Sequence, residues 1–319
     1  MIQFPGQHSA HAPAGPQAVL LDRLGDLLYG IAAVVFILVV AALLMAVFRR
    51  RGEGEAVQEP VRERRMAMVV AVAAGATVAT LATVLLLSFG TGRRLTATPP
   101  SDALQVRVTG RQWWWEVQYR DSVANRWATT ANEIHVPVGR PVVFELRGGD
   151  VIHSFWVPNL GVKRDMIPGQ ETSIWFQADT PGVYRGQCAE FCGYQHAKMA
   201  FLVVAQPPDQ FTAWLEGQRD SARTPVDSLG RRGQEVFLAS SCVMCHAIAG
   251  TPAGSRVGPD LTHLAARRSI AAGTLPNTLG HLAGWIVDPQ QIKPGVRMPP
   301  NALEPHDLQA LLAYLESLR

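Results

Sequence analysis

Two apolar runs without a single charge, Leu27–Phe48 and Met66–Phe89, restrict this chain more than any other feature. At about 1.5 Å of helical rise per residue each run reaches roughly 30 Å or more, the thickness of a bilayer's hydrocarbon core. Two uncharged runs of this length argue against buried helices of a soluble protein. A cleavable signal peptide also fits poorly. The first run starts far from Met1, ends in Arg49-Arg50-Arg51 and lacks a small-residue cleavage site. The connector holds Arg49, Arg50, Arg51, Arg62, Arg64 and Arg65 against the two membrane edges. Short cytoplasmic loops are enriched in such residues. The expected topology therefore puts the connector in the cytoplasm and everything after Phe89 outside it.

A chain of 319 residues leaves room for two or three units, and a net charge of +3 gives no reason to expect a nucleic-acid partner. Beyond the membrane segment the pattern switches to period two. Leu104–Thr109, Glu133–Val138, Pro141–Leu146 and Met199–Val204 read as short strands, punctuated by Gly139, Gly148-Gly149, Pro168-Gly169 and Pro181-Gly182. Many short strands with such turns predict a β-sandwich or small barrel over about 101–205. Pro207-Pro208 closes it, Phe211–Gln218 is amphipathic, and Arg219–Ser228 is a polar connector. From Gly230 the signals are helical, over Arg232–Ala239, Leu279–Val287 and Asp307–Leu318. This last segment is short of apolar bulk for its own core, and a covalent cofactor would supply the missing interior.

The four cysteines carry the chemistry. Outside the cytoplasm two structural disulfides are the plain alternative. Cys242-Val-Met-Cys245-His246, however, is the C-x-x-C-H pattern of c-type haem attachment, in which both thiols bond the porphyrin and the histidine ligates iron. A second axial ligand is needed. Met244 lies on the proximal side, between the cysteines. Met298, in Gly295-Val-Arg-Met-Pro-Pro300, is the preferred ligand, with His263, His281 and His306 as competitors.

The other pair lies in Cys188-Ala-Glu190-Phe-Cys192-Gly-Tyr-Gln-His196-Ala-Lys-Met199. Two thiolates, an imidazole and a thioether within reach of one loop select a soft metal. Zinc competes, but the methionine and a β-frame favour copper. A further ligand is expected from a distant strand, with His153 as the donor.

Gly110-Arg-Gln-Trp-Trp-Trp-Glu116, Val151–Gln170 and Tyr184–Met199 resemble cytochrome c oxidase subunit II. The C-terminal segment, with Gly258-Pro259-Asp260-Leu261 and the Met-Pro loop, resembles class I cytochromes c. Together they resemble the caa-type oxidases, whose subunit II is fused to cytochrome c. The resemblance implies a multidomain chain. An N-terminal segment and two-helix transmembrane hairpin occupy 1–100, a cupredoxin-like β-sandwich 101–219 and an all-α class I cytochrome c domain 220–319.

The resemblance also implies a binuclear copper centre, CuA, bridged by Cys188 and Cys192. His153 and His196 each cap one copper, and Met199 and the carbonyl of Glu190 are weak axial ligands. The Pro259 carbonyl would orient His246. Further implications are magnesium on the Glu190 carboxylate at the contact with subunit I, and electrons entering through Trp113 on a surface facing cytochrome c. Trp114 and Trp115 read as barrel packing. Asp150 and Asp165 suit docking, hydrogen bonding at the subunit I interface or plain turn capping. Glu63 resembles loosely an acidic residue near a proton pathway of subunit I.

The implied protein is a multi-pass subunit of a bacterial cytoplasmic membrane, with both metal domains on the periplasmic side. It would take electrons from an external cytochrome c or another donor through haem c and CuA. They would pass to subunit I of a proton-pumping, oxygen-reducing complex that also holds subunit III. The alternatives are a nitric oxide reductase with a CuA subunit and, with less support, a membrane copper-assembly protein. A quinol oxidase lacks the copper ligands, nitrous oxide reductase lacks this arrangement of spans and haem, and a bare membrane anchor leaves the copper loop unexplained.

Overall fold

The computed structural model describes residues 6–48, 60–120 and 127–319. The N-terminal part contains two helices, α1 (Pro16–Phe48) and α2 (Pro60–Leu95), each long and apolar enough to cross a membrane. Both run beyond the uncharged stretches. Pro60 opens α2 at a position where its missing N–H costs nothing, Glu63 lies in the first turn and Arg93 and Arg94 in the last, as the helix dipole favours. Phe36, Leu43 and Phe89 are 69, 61 and 65 % exposed, a surface suited to lipid rather than water. Arg49, Arg50 and Arg51 lie outside the described residues, as does the side chain of Arg62.

A second compact unit holds the described residues up to Ala18 together with Pro99–Arg319. Its first part is a β-sandwich of two five-stranded sheets. One sheet has the order β3 (Trp127–Ala131), β2 (Trp114–Arg120), β1 (Leu104–Arg111), β5 (Val142–Gly148), β8 (Glu171–Phe176). The other runs β4 (Glu133–Pro137), β10 (Ala200–Gln206), β9 (Gly182–Cys188), β6 (His153–Trp156), β7 (Arg164–Met166). Strand β1 alternates buried and half-buried residues along its whole length, the signature of a sheet with one face in the core. Between the sheets Trp115, Phe144, Phe155 and Phe201 are all but fully buried. Trp115 meets Phe201 edge-on at 5.0 Å, and Phe155 stacks on Phe201 at 4.7 Å. Fully burying one such aliphatic or aromatic side chain stabilises the fold by about 1.5–3 kcal/mol. The four strands expected from alternation are all present.

Helix α3 (Pro208–Gly217) follows and caps the sandwich with Phe211. The remaining part is helical: α4 (Ser228–Ala239), α5 (Leu279–Val287), α6 (Pro289–Ile292) and α7 (Pro305–Ser317). Asp227 caps α4 by accepting from Gly230 N at 2.7 Å, and Thr278 caps α5 by accepting from His281 N. Phe237, Leu264, Leu282, Ile286, Leu311 and Leu315 form its core. The chain thus folds as two apolar helices, a two-sheet β-sandwich and a helical C-terminal region, the order expected from the sequence.

Candidate metal centres

The first centre is assembled where strand β6 begins and strand β9 ends. Phe155 pairs with Cys188 across these strands, so His153, two residues back on the same face, comes beside the cysteine. After Cys188 the chain loops through Cys192, turns at His196–Lys198, and returns at Met199 into β10. The Sγ atoms of Cys188 and Cys192 are 3.8 Å apart. His153 Nδ1 lies 3.9 Å from Cys188 Sγ, and His196 Nδ1 lies 3.6 Å from Cys192 Sγ. Met199 Sδ is 3.7 Å from Cys192 Sγ, and the Glu190 carbonyl oxygen is 3.2 Å from Cys188 Sγ. His153, Cys188, Cys192 and Met199 are buried, whereas His196 is half-buried. Among the described residues, His153, Cys188 and Cys192 form the cluster with metal-binding spacing, their donor atoms all within 4.8 Å of one another.

The electrostatics suit a cation. Hydrogen bonding to Cys192 holds Cys188 down to about 3, against the opposing effect of burial. The same contact, then burial, pushes Cys192 above its ordinary value. The pair therefore sheds one proton readily and the second only when a metal takes its place. Burial opposes a charge on His153, yet hydrogen bonds to Asp150 and Cys188 hold its pKa above the ordinary value. Asp150 Oδ1 sits 2.9 Å from His153 Nε2, and Asp150 Oδ2 accepts from Gln112 N at 2.7 Å. This carboxylate fixes the ring so that Nδ1 faces the thiols. Gly110 completes the fit, because a Cβ there would lie 2.9 Å from the His153 ring. Two soft sulfurs, two imidazoles and a thioether suit copper.

The second centre is a cavity in the helical part. Cys242, Cys245 and His246 line it together with Met298, Leu282, Ile286 and Leu311. All four cysteines of the chain are free thiols, which sets aside the two disulfides. His246 Nδ1 donates to the Pro259 carbonyl at 2.7 Å, leaving Nε2 as a lone-pair donor. Burial keeps the ring neutral, below its ordinary pKa. Gly258 allows the ring to seat, since a Cβ there would lie 2.8 Å from its Cε1. Arg267 is buried and also lines the cavity, and its Nε finds no hydrogen-bond partner among the described residues. A flat apolar ring with an anionic edge, attached through two thiols, fits these walls, and haem c has that chemistry. Met298 lines the cavity, but His263, His281 and His306 do not. His263 is packed elsewhere, His281 Nδ1 sits 2.8 Å from Thr278 Oγ1, and His306 is exposed beside Asp307.

Residues 123–206 match the family model for the cytochrome c oxidase subunit II periplasmic domain, and residues 230–319 match the model for cytochrome c. Cytochrome c oxidase subunit 2 of Alkalihalophilus pseudofirmus is 42 % identical over 220 residues, 68 % of this chain and 62 % of that protein. Its counterpart in Bacillus sp. strain PS3 is 36 % identical over 227 residues, 67 % of this chain and 62 % of that one. The chain belongs to the cytochrome c oxidase subunit II family. It carries a cytochrome c domain in addition, consistent with a fused, caa-type subunit II. The matched region spans under two thirds of the length of these relatives. The solved periplasmic domain of cytochrome oxidase subunit II from Bradyrhizobium japonicum is 32 % identical, with 38 % of this chain and 97 % of that one covered at a TM-score of 0.36.

Within this subunit II the three tryptophans separate. Trp115 is fully buried in the sandwich. Trp114 lines the helical domain's cavity, with the Arg111 guanidinium 6.0 Å from its ring. Trp113 precedes β2, so strand alternation does not govern it. It lines the same cavity, and its Nε1 donates to the Cys192 carbonyl at 3.0 Å. The cytochrome it faces is the one on its own chain.

Glu190 is half-buried, and its carboxylate joins no cluster of metal-binding spacing among the described residues. Asp165 pairs with Ser154 in the sheet, and its carbonyl accepts from Thr172. The role of Asp150 in holding His153 was not anticipated from sequence, although its place three residues before the histidine is a signal that was there to use. Arg267 and Gln112 carried no such signal. We expect Asp150→Ala to weaken copper binding by roughly 10–100-fold, the usual cost of losing a group that orients a metal ligand. Competition with a copper chelator measures this, and an unchanged affinity would show that His153 needs no such support.

Proposed function

We propose that this chain receives single electrons at haem c and passes them through CuA to the haem–copper catalytic subunit of a terminal oxidase. The observation that carries this reading is Trp113, one residue that lines the haem cavity and whose Nε1 meets the Cys192 carbonyl at 3.0 Å. The two carriers supply one-electron chemistry at potentials set by their ligands. The rest is done by the chain. Cys188, Cys192, His153, His196, Met199 and the Glu190 carbonyl would hold the copper centre. A rigid β-frame limits how far these ligands move when the charge changes. Cys242 and Cys245 would attach the haem, His246 and Met298 would hold its iron, and Arg267 would meet its anionic edge. Trp113 is where electrons enter the copper domain.

Oxygen reduction and proton pumping belong to the partner in this reading, as do subunit I itself and subunit III. The oxidase reading is favoured over a nitric oxide reductase by the oxidase names of the relatives. The haem cavity argues against a copper-assembly protein, which needs no haem. Magnesium on Glu190 would draw its other ligands from subunit I. In this reading the connector lies in the bacterial cytoplasm and both metal domains on the periplasmic side. Six arginines about the connector outweigh Arg93 and Arg94 at the other end of the second span. Glu63 is exposed on α2, where a proton pathway of subunit I is a proposed neighbour.

The test is metal analysis of the purified protein with electron paramagnetic resonance and identification of the copurifying catalytic subunit. The expected result is two coppers and one haem per chain, with one unpaired electron shared between the coppers. A single exchangeable cuprous ion, or a nitric oxide reductase subunit, would overturn the reading.

A further inference from the structure

The two metal domains meet across a contact that is built rather than incidental. Lys293 follows α6 in the haem domain and is 1 % exposed. Its Nζ donates to the Trp113 carbonyl of the copper domain at 2.7 Å and to the Ala271 carbonyl of its own domain at 3.1 Å. Around it, Gln195 Nε2 donates to the Pro294 carbonyl at 2.6 Å and Lys198 Nζ to the Ile292 carbonyl. Arg268 N donates to Glu133 Oε2 at 2.9 Å, and Ala200 N donates to the Ala272 carbonyl at 3.0 Å. Ala271 and Ala272 both hold left-handed backbone conformations, at φ 53° and 56°, which residues with a Cβ rarely adopt. Each of these two alanines gives its carbonyl to the contact, one to Lys293 and the other to the copper domain. Strain of this kind persists where the surroundings over-determine it.

We propose that Lys293 is an interdomain latch, a positioning residue that seats the haem domain on the Trp113 face of the copper domain and closes that face to other electron donors. The inference rests on the electron-transfer reading above and adds to it the means by which the two carriers stay registered. The chemistry suits burial. A neutral amine has two N–H donors, and the site offers two carbonyl acceptors. Burial and then Lys198 bring the Lys293 pKa down to about 7, so the latch need not keep a charge out of water. Glu133, Asp150, Arg267, Arg268 and Arg297 are further charged groups at this contact, Arg297 lying 4.0 Å from Asp150. With the face covered, an outside donor can reach the coppers only through the haem.

Full-length protein loaded with copper and haem is compared with its Lys293→Met variant. In the wild type, deuterium uptake across 198–202 and 267–274 should be slow, and the haem-to-copper rate after flash reduction should stay flat across a salt series. In the variant both segments should exchange at least tenfold faster. The internal rate should fall at least tenfold and vary with salt, as expected of a docking encounter. The haem absorption, the copper resonance signal and both potentials should stay unchanged. Unchanged exchange or an unchanged rate would overturn the latch, and so would a loss accompanied by altered spectra or potentials, because that would make Lys293 a support of the sites themselves. Should the methionine variant fail to assemble, Lys293→Gln, polar but too short to reach Trp113, gives the same readouts. If wild-type protein shows no internal transfer while its exchange still depends on Lys293, the functional reading fails and the latch stands.

Discussion

Replacing Cys188 with serine is expected to reduce bound copper from two ions per chain to one or none, and to abolish the electron shared between two nuclei. Cys188 has three partners in the cluster: Cys192 Sγ at 3.8 Å, His153 Nδ1 at 3.9 Å and the Glu190 carbonyl at 3.2 Å. It is also the thiol already poised to ionise, held to about 3 by its hydrogen bond to Cys192. A serine hydroxyl in that place does not ionise near neutral pH, and it is a hard donor where copper prefers a soft one. With one sulfur left in the cluster, nothing would hold a second copper. The change is nearly isosteric at a buried position, so the sandwich should remain folded. Copper analysis and the hyperfine pattern of the resonance signal provide the check. Two retained coppers with an unchanged pattern would show that Cys188 does not bridge.

Met298→Ala should leave the haem attached, because Cys242 and Cys245 are untouched, while its reduction potential falls. Axial ligands tune haem potentials over a range of roughly 0.8 V, and a methionine ligand raises them. A loss on the order of 0.2 V is expected. At about 59 mV per tenfold for one electron, that moves the equilibrium with an external donor by about three powers of ten against haem reduction. His263→Ala should leave the potential where it was, since His263 does not line the cavity. A redox titration of both variants decides between the ligands. The opposite pattern would make His263 the ligand and Met298 a loop residue.

Much of this molecule was legible in the chain because its decisive features are contiguous. A membrane span is a matter of length and the absence of charge, and both are counted along the sequence. Haem attachment needs two thiols and an imidazole within one turn, so Cys242, Cys245 and His246 announce it locally. The copper loop holds five of its expected donors within 188–199, and only His153 had to be brought from another strand. Alternation over Leu104–Thr109 or Met199–Val204 gave strands for the same reason, since period two is a property of neighbours.

Other features exist only once distant segments meet. Asp150 could be read as a docking or capping residue until β6 fixed the His153 ring against it. Trp113 was expected on a surface facing cytochrome c, and the fold places it in the wall of the cavity of the chain's own cytochrome c domain. Nothing in Gln-Ile-Lys-Pro-Gly marks Lys293 as buried, because a lysine beside a turn is ordinarily solvated. Which elements form, and which groups offer themselves to a metal, follow from spacing and chemistry along the chain. Which groups orient those candidates, and how the domains meet, follow from burial and hydrogen-bond partners, which arise from contacts between residues as far apart as Trp113 and Lys293.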